Sequence, residues 1–285
     1  MFVFAKSARR PVPKQRAVFA EAKRFEKEIS QYLMEELKAL RGNIPFDDLV
    51  QILQLAKEDE VVSLLDEAGA RATFSGLEPL ITKGAMAGGK LAAAGRAIVL
   101  DAARPRIKKW IKDHCADLVK ETTKTTREAV KSLVLRGVDS GRHPARMAKD
   151  IKSIVGLDER SAIAVDRRRE YLHDQDLPLG RADELADKYA DKLLTRRAEN
   201  IARTESMVSI KQGRSELWQQ LVEDGAMPET QKRAWDASSD SACCKICQDM
   251  DGQEVGIGEP WTLPDGEETM IASAHPSCRC DEKLL

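Results

Sequence analysis

The sequence predicts a mainly α-helical protein, with helical N-terminal and middle regions and a small α+β module at the C-terminus. Three observations carry this. Charged residues make up 33% of the 285-residue chain and aromatics only 5%, a composition of long solvated helices rather than of a sheet-rich core. Apolar residues recur at helical spacing as far as Leu221. Five of the six cysteines then fall within the last 43 residues, where glycines and prolines interrupt the chain and suggest hairpins. Length allows two ordinary units or one large one, and breaks in the pattern divide the chain into a basic helical body over 1–140, a helical core over 141–235 and the cysteine-bearing module over 236–285.

From Lys14 to Arg41 the residues Phe19, Ala22, Leu33, Leu37 and Leu40 fall near one face, and Gly42 with Pro45 stops the helix. Further helices are expected over Phe46–Ala56, Val61–Ala72, Leu77–Ala102, Ile107–Val119 and Thr125–Val134. Gly84, Gly88, Gly89 and Gly95 suit close packing on a neighbouring helix, while Lys90, Arg96 and Asp101 argue against a membrane span there. Ser140, Gly141 and Pro144 break the chain. Pro144 opens a helix with Met147, Ile151 and Ile154 on one face, Gly156 closes it, and Asp158 caps the next.

That next helix carries Arg167, Arg168 and Arg169. Its outline with the preceding helix is that of a DNA-reading helix-turn-helix, and the arginines are candidate nucleic-acid contacts. A packed hairpin with a solvated arginine face is the commoner use of such a pair. A long helix, or two, follows from Ala182 to about Leu221. Within it Arg203 and Glu205 read as surface charges, since side chains two apart do not face each other.

Charge is uneven although the net is only -1. Residues 1–43 and 101–136 each hold ten basic side chains against five acidic ones, whereas 237–285 holds ten acidic against three basic. DNA would be repelled by that last segment and met by the basic N-terminal half. Met1–Ala5 followed by Lys6, Arg9 and Arg10 lacks the pattern of a secretory signal, so thiols are expected in a reducing compartment, where they read as metal ligands before disulfides.

Those thiols are Cys243, Cys244 and Cys247, then Cys278 and Cys280 after His275. Cys244 with Cys247, and His275 with Cys278, have the two-residue gap by which a tight turn aims two donors at one ion. Zinc fits this set best, and a structural zinc would stabilise a segment too short to bury a core of its own. Trp235, Val255, Trp261 and Ile271 would pack around it. Four positions face five donors, so the spacing leaves Cys278 and Cys280 as alternatives. A catalytic zinc needs an open position beside a base; here donors are in surplus, and Glu267 and Glu268 read as acidic surface. Lone Cys115 reads as a buried small hydrophobe.

Several segments resemble the phage Mu F-like minor head proteins, the phage head morphogenesis family: Val155-Gly156-Leu157, Arg167 through Leu172, Ile201-Ala202-Arg203-Thr204-Glu205, then Trp235, Asp240, Cys244, Cys247, Asp251-Gly252, and His275-Pro276-Ser277-Cys278-Arg279-Cys280. They span roughly 143–281. The resemblance implies a minor capsid protein of a tailed bacteriophage, present in few copies inside the virion head near the portal vertex after assembly in the host cytoplasm, and in some members delivered with the DNA. Its implied partners are the portal protein, major capsid or scaffold proteins and packaged DNA, with no small-molecule substrate. It also raises a buried structural pairing through Arg203 and Glu205 that docks the long helix on the zinc module. Some relatives carry a toxin domain after the Cys-Arg-Cys motif; only five residues follow it here, so the expectation is binding rather than an enzyme. The alternatives are a zinc-dependent hydrolase or nuclease and a helix-turn-helix DNA-binding protein.

Overall fold

The computed structural model describes residues 13–55, 58–71, 74–175, 177–238 and 243–285. Asp240, the N-terminal Lys6, Arg9 and Arg10, and the expected helix ends Ala56 and Ala72 lie outside these. The elements are α1 (Pro13–Gly42), α2 (Phe46–Gln54), α3 (Glu58–Arg71), α4 (Leu77–Ala93), α5 (Pro105–Asp139), α6 (Pro144–Ile154), α7 (Glu159–His173), α8 (Leu179–Glu223), β1 (Lys232–Asp236), α9 (Lys245–Met250), β2 (Glu254–Gly256), β3 (Trp261–Thr262), β4 (Glu268–Thr269) and β5 (Asp281–Leu284). The protein is therefore mainly helical, with its strands gathered at the C-terminal end. Among the described residues no helix is long and apolar enough to cross a membrane.

Two departures from the helical pattern have local causes. The segment expected over Leu77–Ala102 stops at Ala93, because Ala94 and Gly95 take left-handed conformations (φ 49° and 82°) that end a right-handed helix. The segments 107–119 and 125–134 are instead one helix, α5. The gap between them does not break it: Thr123 Oγ1 donates to Val119 O, and just beyond the gap Thr126 Oγ1 donates to Thr122 O, so these hydroxyls are satisfied by the helix's own carbonyls.

The chain forms two compact units interleaved along the sequence. One comprises Ser30–Leu77 and Asp113–Glu199, the other Met1–Ile29, Glu78–Lys112 and Asn200–Leu285. In the first, α2 lies against α6, and Leu37, Leu49, Ile151, Ile154 and Leu194 are buried. The α6–α7 turn follows the sequence. His143 caps α6 ahead of Pro144, Asp158 accepts from Ser161 N at 2.9 Å, and Gly156 sits at φ +88°, with the Cβ it lacks only 3.0 Å from Leu194 Cδ1.

This first unit also holds a network of buried charge. Asp166 accepts from Arg136 and Arg142, and Asp150 from Arg142 and Arg169. Asp183 accepts from Lys149 at 2.8 Å and pairs with Arg146 at 2.7 Å. Burial pushes the Asp183 carboxyl up, but the Lys149 hydrogen bond and the charges of Arg146, Lys149 and Arg169 outweigh it and hold it below its ordinary value. A carboxylate depressed in this way adds stability above its unfolded pKa and loses it as pH falls through the lower folded value. Asp183→Asn is thus expected to cost roughly 1–3 kcal/mol at neutral pH, and the gap from wild type should close below about pH 4. Urea midpoints at pH 7 and pH 3 check this.

In the second unit α4 crosses α8 at very short range. A Cβ on Gly88 would lie 1.9 Å from Ile210 O, and one on Gly213 would lie 1.8 Å from Ala85 O, so backbone meets backbone where the glycines stand. Beyond α8, β1 pairs antiparallel with β2 (Arg233↔Val255) and with β5 (Trp235↔Glu282), giving the sheet order β2-β1-β5, and β3 pairs with β4 in a separate hairpin. Trp235 and Trp261 are fully buried and meet edge to face, with centroids 5.5 Å apart. Val255 packs at their margin and Ile271 is buried as well.

Candidate metal centre

The site lies within the second unit. Cys244 caps α9: its Sγ accepts from Cys247 N at 3.4 Å, so the backbone of this short turn both shapes the loop and stabilises sulfur charge. Pro276, Ser277 (φ 59°) and Cys278 form the opposing turn, with Cys278 N donating to His275 O. The ligand atoms of Cys244, Cys247 and His275 lie within 4.8 Å of one another, and so do those of Cys247, Cys278 and Cys280. Cys247 belongs to both groups, with its Sγ 3.6 Å from His275 Nε2 and 3.7 Å from Cys278 Sγ. All five donors singled out in the sequence are therefore brought together. Cys243 is half-buried at the margin of the cluster and Cys115 is buried elsewhere in α5.

Protonation follows from the contacts. His275 Nδ1 lies 2.8 Å from Pro276 O, a carbonyl that can only accept, so Nδ1 donates there and Nε2 is the ring nitrogen turned toward Cys247. The hydrogen bond from Cys280 outweighs burial and, with the charge of Lys211, brings the Cys278 thiol down to about 4. Burial and the neighbouring Cys278 thiolate push Cys247 up, and the proton shared with Cys278 together with burial pushes Cys280 up. Crowded sulfur atoms beside an imidazole nitrogen are the donor set of a metal such as zinc, so these residues fit the ion the sequence suggests.

Helix α8 and the sheet brace the cluster through side chains that spacing did not single out. Lys211 is fully buried, and its Nζ donates to Ala272 O at 3.0 Å and Cys278 O at 3.1 Å. Arg214 pairs with Asp281 and donates to Glu282 O at 2.9 Å. Buried Arg233 donates to Glu282 Oε2 and Ser215 Oγ, both at 2.9 Å, and stacks 4.1 Å above the Trp261 ring. Burial pushes the Glu282 carboxyl up against the pull of Arg233, yet both its oxygens accept, one from Arg233 and one from Ala272 N at 2.8 Å. Ser277 N donates to Thr204 Oγ1 at 3.0 Å, which ties the histidine turn to α8.

Other expected residues are placed differently from one another. Arg203 is half exposed and meets Glu26 of α1 at 3.2 Å, while Glu205 is buried. Thr204 between them bonds this segment to the cysteine module. Arg167 and Arg168 are exposed on α7, with Arg168 over the Tyr171 ring. Arg169 turns inward, 3% exposed, and is bonded to Asp150, Ser153 and Asp187. A guanidinium held by two carboxylates is not presented to a phosphate, so the three consecutive arginines do not form one surface.

No curated protein and no solved structure matches the chain. A family model described as Phage Mu protein F like protein matches residues 128–282, which include all five clustered donors and the helices leading to them. With more than half of its length matched, the chain belongs to the phage Mu protein F-like family of head morphogenesis proteins.

Proposed function

We propose that the chain is a minor head protein of a tailed bacteriophage that sits inside the head near the portal vertex and acts by binding rather than by catalysis. Its partners on this reading are the portal protein, major capsid or scaffold proteins and packaged DNA, which it helps to deliver. The observation that carries the reading is the clustering of the five family-matched donors into one braced site. On this account Cys244, Cys247, His275 and Cys278 hold a structural zinc, and Cys280 supports Cys278 with a hydrogen bond. Bound there, zinc cross-links α9 to the His275–Cys280 turn. The surplus of protein donors favours a closed site over one that keeps a position for water.

DNA contact is assigned to the basic stretches of α1 and α5 and to Arg167 and Arg168, which form no ion pair among the described residues. Co-expression of the full-length chain with the portal and capsid proteins of the same phage tests the proposal. The expected result is a few copies of the chain sedimenting with portal-containing heads. Heads that assemble without it, together with chelator-sensitive cleavage of DNA by the free chain, would favour the zinc nuclease instead.

A further inference from the structure

A lysine is almost never fully buried without a partner of opposite charge, and Lys211 is such a case on its face value. It is 1% exposed, it contacts two backbone carbonyls, and among the described residues no carboxylate lies within ion-pairing distance. The neighbouring charges on this face of the module balance without it: Arg214 with Asp281, and Arg233 with Glu282. Lys211 is left without a carboxylate partner among the described residues, buried in a low-dielectric interior and held on the carbonyls of Ala272 and Cys278 beside the cysteine cluster.

A divalent ion bound by three thiolates and a neutral imidazole carries one net negative charge; four thiolates would carry two. His275 is placed to serve as the nitrogen donor, since its Nδ1 is engaged by Pro276 O and its Nε2 faces Cys247. We infer that Lys211 is the counter-charge of the metal site, a positioning residue whose buried ammonium selects a three-thiolate, one-histidine set for zinc and orients the Cys278 turn through its two carbonyl contacts. The backbone contacts alone do not explain a lysine: a glutamine or a bound water donates to carbonyls without burying charge.

This inference rests on the zinc reading, and the experiment separates the two. Full-length wild type, Lys211→Gln and Lys211→Met are compared at one pH by competition for zinc with a chromophoric chelator, and by melting with zinc and with chelator. Glutamine keeps a donor for the carbonyls and methionine keeps only the shape. Both variants are expected to bind zinc roughly 10- to 100-fold more weakly, the range usual when a group supporting a metal ligand is lost, and the stabilisation that zinc adds should shrink in both. With cobalt in place of zinc, the wild-type thiolate-to-metal absorption should report three thiolates. Undiminished affinity in the glutamine variant, or equal loss of stability with and without metal, would overturn the counter-charge role while leaving the zinc site standing. A wild-type chain that takes up no zinc would overturn both.

Discussion

Replacing Gly213 or Gly88 with alanine is expected to lower the stability of the protein, against the local trend. In a helix interior alanine is favoured over glycine by about 1 kcal/mol, so propensity alone predicts a gain. The crossing of α4 and α8 reverses the sign. The new Cβ would stand 1.8 Å from Ala85 O in the first variant and 1.9 Å from Ile210 O in the second, and the obstacle in each is backbone. Neither helix can move a carbonyl aside by a rotamer change, so the helices must separate. Overpacking of this kind costs about 1–3 kcal/mol and occasionally more, and the double variant should fare worse than either single one, because both substitutions push the same pair of helices apart. Gly180→Ala supplies the control. It lies in the first turn of α8 with nothing within 4 Å of the added carbon, so no loss from packing should appear there. Urea unfolding midpoints of the four variants decide the matter, and a Gly213→Ala protein as stable as wild type would contradict the packing described.

The second large effect is expected from Cys247→Ser. Cys247 is shared by both groups of candidate ligands and is 1% exposed, so no other single substitution removes a donor from each. A serine hydroxyl is a poor zinc ligand, and it would leave Cys278 and His275 facing an incomplete site. Structural zinc sites contribute on the order of 10 kcal/mol of apparent binding free energy in small modules at neutral pH. The cysteine module packs on Trp235, Trp261 and Met250, which retain part of that stability, so the expected loss is several kcal/mol rather than the whole amount. Loss of bound metal, a red shift of tryptophan emission and protease cleavage between β1 and β5 should appear together. Cleavage and emission identical to wild type would show that the tryptophan core holds the module without the ion.

Much of this architecture was legible in the sequence because it follows from local chemistry. Helix α1 was set by one sustained apolar face, and the Pro144 start of α6, the Gly156 turn and the Asp158 cap were each set by one or two residues with few conformational alternatives. The five donors were legible for the same reason, since short chelating turns are local. What local spacing does not encode is which distant segments meet. The two units draw on separated stretches of the chain, and periodicity carries no information on that pairing. Thr122 and Thr123 fall in the gap between the two expected helices, yet within α5 the Thr123 hydroxyl bonds back to the preceding turn at Val119 O.

Arg169 was grouped with Arg167 and Arg168 by adjacency, yet successive helical residues point about 100° apart. Its partners Asp150 and Asp187 are 19 and 18 positions away. Lys211 did leave a trace. It follows Met207 by one helical turn and stands next to Ile210 on the apolar side of α8, where a charge needs a reason. That reason emerged only once Ala272 and Cys278 were placed beside it.

The most direct test of the account is the metal content of the natively purified full-length chain, measured by elemental mass spectrometry before and after dialysis against a zinc chelator. The account predicts one zinc per chain, with release of the ion accompanied by loosening of the Trp235–Trp261 core. A chain that is folded, carries no zinc and is indifferent to both chelator and added metal would contradict it.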